Sequence, residues 1–253
     1  ENSNLPVFCT MSFEGNMRTF TGCSVDSMVM VLQGLGVDAL GVNCSLGPKE
    51  LAPIVDRILH ISKVPVIVQP NAGLPTVLND CTVFELSPKE FGDWGYRFVK
   101  KGVRVVGGCC GTNYDHIEEL TDKIGGMDVQ DRPYISFSGV CTSTKTVFID
   151  GIKVIGERIN PTGKEKFKEA LKNGNMDYIL NEAIGQVDAG AHILDVNVGL
   201  PEIDERATMI KVIRSIQSIL DVPLQIDSSD PEVIEGALRY YNGKAIVNSV
   251  NGE

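Results

Sequence analysis

The sequence has no CxxC pair, no GxGxxG and no glycine-rich loop closed by Lys-Ser or Lys-Thr. Ribbon-type structural zinc sites, dinucleotide fingerprints and phosphate loops therefore lack their usual signatures. No block of consecutive basic residues occurs, and the net charge is −10. A nucleic-acid backbone is excluded as a partner on that ground, because nothing drives counterion release. The longest apolar runs are strand-sized, well short of the ~20 residues of a membrane span. The polar opening from Glu1 has no signal-peptide pattern. Histidine is scarce at three residues, and His60, His116 and His192 read as packed or surface side chains rather than ligands.

What the chain does have is an ordinary globular composition, 43% hydrophobic and 22% charged over 253 residues. That suffices for a sizeable core. Its seven cysteines are odd in number and widely scattered, which fits reduced thiols and a cytoplasmic protein better than a disulfide framework.

Short apolar strands are predicted at Leu5–Phe13, Asp38–Cys44, Val64–Gln69 and Val103–Gly108, then at Lys153–Glu157, His192–Val196, Val222–Ile226 and Lys244–Val250. Most lead into a helical pattern: Lys49–Ile61, Glu90–Lys100, Asp115–Lys123, Asp177–Ala189, Asp204–Leu220 and Pro231–Tyr240. Alternating strand and helix predicts an α/β fold with parallel sheets, of the TIM (β/α)8 barrel kind. The rhythm stops between Gly125 and Gly151, where Arg132–Asp150 reads as a hairpin or linker. The chain is then one barrel with an inserted hairpin, or the end of one barrel joined to the start of the next. The absence of an initiator methionine and the stop at Asn251-Gly252-Glu253, directly after a strand, favour the second. The expected division is residues 1–126, a linker at 127–151, and residues 152–253. Such a piece is expected to fold or work only within a longer chain, since its half-barrels would have open edges.

Two stretches carry chemistry. In VRVVGGCCGTN, Val103 to Asn113, a β-branched run ends in glycines that present Cys109 and Cys110 together. Barrels keep their chemistry at the carboxyl ends of strands, and adjacent cysteines suit metal better than a strained disulfide. Cys44, in GVNCSLGP, ends a strand two places away and completes a three-thiolate set. Such a set favours Zn²⁺ with an open fourth position. Cys9, Cys23, Cys81 and Cys141 read as small buried apolar residues. In the second half, four successive strands end in Asn, Asp or Ser, within GERIN, DVN, IDSS and NSVNGE. Each alone is an ordinary loop residue. Together they form a ring of donors and acceptors suited to a neutral heterocycle.

GVNCS, PNAG and GGCCGT, in that order, resemble the zinc-dependent homocysteine S-methyltransferases. The resemblance implies Cys44, Cys109 and Cys110 as zinc ligands, homocysteine as the ligand of the open position, and Asn71 as a substrate-binding, site-lining residue. The second-half motifs resemble the pterin-binding family. That implies Asn160, Asp195, Asn197, Asp227 and Asn248 around a pterin, with Asn197 and Asp227 the catalytic candidates and methyltetrahydrofolate the methyl donor. The order of the two halves is similar to the cobalamin-dependent methionine synthase family. It implies methyl transfer from 5-methyltetrahydrofolate through a corrinoid, borne on a domain outside this segment, to homocysteine. The alternatives are a corrinoid-independent homocysteine methyltransferase joined to a separate pterin-site barrel, or a non-enzymatic zinc or redox thiol protein.

Overall fold

The computed structural model describes residues 4–128 and 137–250. Part of the predicted hairpin stretch (132–136), the linker residues 129–131 and the terminal 251–253 lie outside these. The chain divides into two compact units, residues 1–136 and 137–253.

The first unit runs β1 (Phe8–Met11), α1 (Val25–Gly34), β2 (Ala39–Asn43), α2 (Pro48–Ile61), β3 (Val66–Gln69), β4 (Pro75–Leu78), β5 (Cys81–Phe84), α3 (Pro88–Lys100), β6 (Val105–Val106) and α4 (Tyr114–Ile124). Four strands form a parallel sheet in the order β1-β2-β3-β6. Its centre is dry: Ala39, Leu40, Val42, Val66 and Val68 are at most 1% exposed. A strand covered on both faces reads as a continuous apolar run, which is why β2 and β3 were legible. Helix α2 buries Leu51, Ile54, Val55, Ile58 and Ile61, one stripe at helical spacing, each contributing roughly 1.5–3 kcal/mol of burial. Helix α1 went unpredicted because VDSMVMVLQG is apolar almost all round, which erases the period. The β4–β5 hairpin also went unpredicted. Its turn places Asn79 and Asp80 at positive φ, 49° and 60°, the conformation that a tight two-residue hairpin needs.

The second unit runs β7 (Gly139–Thr142), β8 (Thr146–Phe148), β9 (Ile155–Ile159), α5 (Glu165–Lys172), α6 (Met176–Asp188), β10 (Ile193–Val196), α7 (Glu205–Ile219), β11 (Leu224–Asp227), α8 (Pro231–Tyr240), β12 (Gly243–Lys244) and β13 (Ile246–Asn248). Its parallel sheet has the order β13-β11-β10-β9. Leu194, Val196, Leu224 and Ile226 join Ile179, Met209, Val212, Ile213, Ile216 and Val233 in one core. Those strand residues are alternate positions, so Asp195, Gln225 and Asp227 project from the opposite face.

The β7–β8 hairpin joins β12 in a three-stranded antiparallel sheet. Val140 and Val147 pack on Ile193, the first residue of β10, with Ile246 of β13 against them. Tyr241 fastens the arrangement: its hydroxyl donates to the Cys141 carbonyl at 3.0 Å and accepts from Leu224 N–H at 3.2 Å. The hairpin therefore packs on the amino-terminal end of this unit's sheet. Neither parallel sheet closes on itself among the described residues; each supplies four strands, half the number of a (β/α)8 barrel. Among the described residues, no helix is long and apolar enough to cross a membrane.

Candidate functional site

Two clusters lie at the carboxyl ends of the two sheets. In the first unit, Cys44 follows β2, Asn71 follows β3, and Cys109 and Cys110 follow β6. Because these strands are neighbours, their ends converge. The Cys44 and Cys110 sulfurs are 3.6 Å apart, those of Cys109 and Cys110 are 3.9 Å apart, and all three lie within 4.8 Å of one another. Zn–S bonds of ~2.3 Å in a tetrahedron place sulfurs ~3.8 Å apart. The donor set thus suits a zinc ion, which would keep a further coordination position for another ligand.

The backbone explains how such crowding is held. Cys44 N–H donates to Gln69 O at 2.9 Å, Cys109 N–H to Pro70 O at 2.8 Å, and Ala72 N–H to Cys110 O at 2.8 Å. The three turns are stitched to the β3 exit. Cys44 and Ser45 both sit in the left-handed region, with φ of 68° and 64°, which costs a non-glycine residue about 1–2 kcal/mol. At Gly111, with φ of +81°, a Cβ would stand 2.4 Å from the Phe84 side chain. Only glycine lets the cysteine turn pass that ring.

Asn71 is 3% exposed. Its Oδ1 accepts the Cys110 N–H at 3.1 Å, and its backbone N–H donates to Leu46 O, in the turn after Cys44, at 3.0 Å. It is therefore a brace between two of the thiol-bearing turns. The Cys44 thiol is held below its ordinary pKa chiefly by the Ser45 backbone N–H. Burial first, and then the neighbouring thiols, push Cys109 up to about 11. Thiolates brought this close together repel one another unless a cation lies among them.

The remaining cysteines divide. Cys141 is fully buried, as expected of a small apolar residue, whereas Cys81 is exposed on the β4–β5 hairpin and Cys9 and Cys23 are half-buried. His116 is buried and bonded at both ring nitrogens, Nδ1 to Asn113 Oδ1 at 2.6 Å and Nε2 to Leu86 O at 3.0 Å, in the capping box of α4.

In the second unit the structure draws most of the named residues onto one face. Asn197 Nδ2 donates to Asp227 Oδ2 at 3.0 Å, while its Oδ1 accepts Gly199 N–H at 2.9 Å. Asp227 lies in register with Asn248 across the β11–β13 pair. Asp195, 3% exposed, stands beside Gln225 in register and accepts a hydrogen bond from its amide. Burial raises the Asp195 pKa; the Gln225 bond opposes this, and the Asp227 and Glu157 charges add to the rise. Asn160 stands apart from these contacts: its Oδ1 accepts Thr162 N–H at 2.9 Å, shaping the turn after β9.

Sequence reasoning missed Gln225, whose place two residues before Asp227 puts it on the same strand face. It also missed Lys164, whose ammonium bonds Glu157 through the carboxylate at 2.9 Å and the carbonyl at 3.0 Å. The face offers carboxylates, amides and one tied lysine. That suits a hydrogen-bonding heterocycle with several N–H groups.

The model of the homocysteine S-methyltransferase family matches residues 1–124, and that of the pterin binding enzymes matches residues 156–253. The methionine synthase of Mycobacterium tuberculosis is 30% identical over 99% of this chain, and that of Mycobacterium leprae is likewise 30% identical over 99%. The chain spans 21% and 22% of those relatives, about a fifth of their length. Among solved structures, the carboxyl transferase domain of Rhizobium etli pyruvate carboxylase aligns over 97% of this chain and 40% of its own, at 13% identity and a TM-score of 0.30. The tryptophan synthase α subunit of Campylobacter jejuni aligns over 98% and 88%, at 9% identity and a TM-score of 0.28. Likeness at that level carries no functional information. The two family models thus match in chain order, one within each compact unit: the first unit is similar to the homocysteine S-methyltransferases and the second to the pterin binding enzymes.

Proposed function

We propose that this chain serves methyl transfer from 5-methyltetrahydrofolate, by way of a corrinoid carried on a domain outside residues 1–253, to homocysteine, giving methionine and tetrahydrofolate in the cytoplasm. The observation that carries the reading is the convergence of the Cys44, Cys109 and Cys110 sulfurs within 4.8 Å at the carboxyl end of a parallel sheet. Bound there, zinc would keep the homocysteine sulfur as a thiolate, which a free thiol of pKa ~8.5 largely is not at neutral pH. The chain's own part is geometric. The β3 exit holds the three turns together, Asn71 braces two of them, and the fourth position is left to substrate. The all-sulfur donor set favours zinc over magnesium or calcium.

For the donor, Asp227 and Asn248 lie side by side to take the amino and ring N–H edge of the pterin, and Asn197 is oriented by Asp227 and Gly199. A methyl group leaves N5 of the folate only once that nitrogen is protonated, and an amide such as Asn197 positions but does not supply that proton. The test follows labelled methyl from 5-methyltetrahydrofolate in the presence of homocysteine and free cobalamin. Label in methionine that depends on both the thiol and the corrinoid supports the reading. Failure of the protein to bind either homocysteine or the folate overturns it.

A further inference from the structure

Glu205 opens α7, immediately after its N-cap Asp204, whose Oδ1 accepts Ala207 N–H at 2.9 Å. An acid in that first turn ordinarily serves the helix dipole. Here it does something more specific. Its Oε1 accepts the Ser228 hydroxyl at 2.6 Å. Ser228 is 2% exposed and follows Asp227 directly. The same hydroxyl accepts Asp230 N–H at 3.1 Å, turning the chain from β11 toward α8. The Ser228 backbone reaches the next strand end: its N–H donates to Asn248 O at 2.8 Å, and its carbonyl accepts Ser249 N–H at 3.3 Å. On the other side, a Cβ placed on Gly199 would lie 3.8 Å from both Glu205 carboxylate oxygens and 3.3 Å from Asn197 Oδ1. The Glu205 carboxylate therefore borders the turn that Asn197 caps.

One carboxylate thus meets the exits of β10 and β11 and, through Ser228, of β13, the three strands that bear Asn197, Asp227 and Asn248. We infer that Glu205 is a positioning residue: its bond to Ser228 fixes the register in which those three side chains face a pterin. The inference rests on the pterin-binding reading of the second unit. It adds a residue that touches no ligand but sets the angle at which others do. A buried hydroxyl whose acceptor is removed must find another partner, so the Ser228 turn would shift.

The test compares Glu205→Ala with Glu205→Gln in the intact protein, reading the dissociation constant for tetrahydrofolate by calorimetry alongside the thermal midpoint. Gln keeps a carbonyl oxygen for Ser228 but has no charge for the dipole. Glu205→Ala is expected to weaken binding by about tenfold, and Glu205→Gln to stay within about twofold of the parent. Ser228→Ala should match Glu205→Ala, and Glu205→Ala combined with Ser228→Ala should be no worse than either alone, because the two act as one unit. Unchanged binding in Glu205→Ala overturns the inference. So does equal loss in the Ala and Gln variants, which would leave only the helix-dipole role. If the parent itself does not bind tetrahydrofolate, it is the pterin reading that fails.

Discussion

The two units use the same scaffold element, the carboxyl ends of four parallel strands, and fill it with opposite chemistry. In the first, the clustered atoms are soft sulfurs, held by backbone hydrogen bonds and by two residues in the left-handed region. In the second, they are hard oxygens and nitrogens, held by side chains that bond one another: Asn197 to Asp227, Gln225 to Asp195 and Ser228 to Glu205. Thiols are poor hydrogen-bond partners, so a thiol cluster has to be placed by the main chain and then stabilised by a cation. Carboxylates and amides satisfy each other, so a polar face is ordered before any ligand arrives. Where strand ends carry sulfur, the backbone does most of the positioning, with Asn71 as a side-chain brace; where they carry amides and acids, the side chains do.

That contrast can be broken in graded steps. The largest effect is expected from Cys110→Ser. Loss of one thiolate from a three-thiolate set should take zinc from about one per chain to a small fraction of that, as measured by elemental analysis after dialysis against a weak chelator. Folate binding in the second unit should be unaltered; a variant that retains full zinc sinks the three-cysteine site. Next is Asp227→Ala, which removes a charged acceptor and frees the Asn197 amide. A loss of about ten- to a hundredfold in tetrahydrofolate affinity is expected, with zinc content unchanged. Zinc and folate binding falling together in either variant would contradict the separation of roles.

Asn71→Ala tests the brace. Residues that orient metal ligands typically contribute about ten- to a hundredfold in affinity. Competition with a chromophoric chelator should therefore show weaker zinc binding than in the parent, yet with the same stoichiometry. An unchanged affinity would make Asn71 a lining residue only.

The smallest effect concerns pH. Asp195 has a raised pKa in the folded protein, caused first by burial. The native state therefore holds that proton more tightly than the unfolded chain does. Stability from this group is present below the ordinary carboxyl value of ~3.9 and is lost as pH rises through the raised one. Asp195→Asn abolishes that loss. Its thermal midpoint should gain on the parent's as pH climbs through the window, with the two differing least at the acid end. A difference that does not vary with pH would contradict the assignment.

Much of this architecture was legible in the sequence. The eight strands of the two parallel sheets were marked by short apolar runs, and the three clustered cysteines by their place after such runs. What escaped detection has physical reasons. Helix α1 is buried nearly all round, and α5 is short with no side-chain cap. The role of Asn71 as a brace depends on Cys110 coming close from a residue 39 positions away, a proximity that no local pattern contains. Gln225 was within reach, since alternation from Asp227 points to it. The Glu205–Ser228 bond, 23 residues apart, was not.

The most direct test of the central claim is zinc-edge X-ray absorption on the protein before and after homocysteine is added. Three sulfur neighbours at ~2.3 Å are expected in the free protein, rising to four when homocysteine binds. Fewer than three sulfurs in the free protein, or a sulfur count that homocysteine leaves unchanged, would contradict that claim.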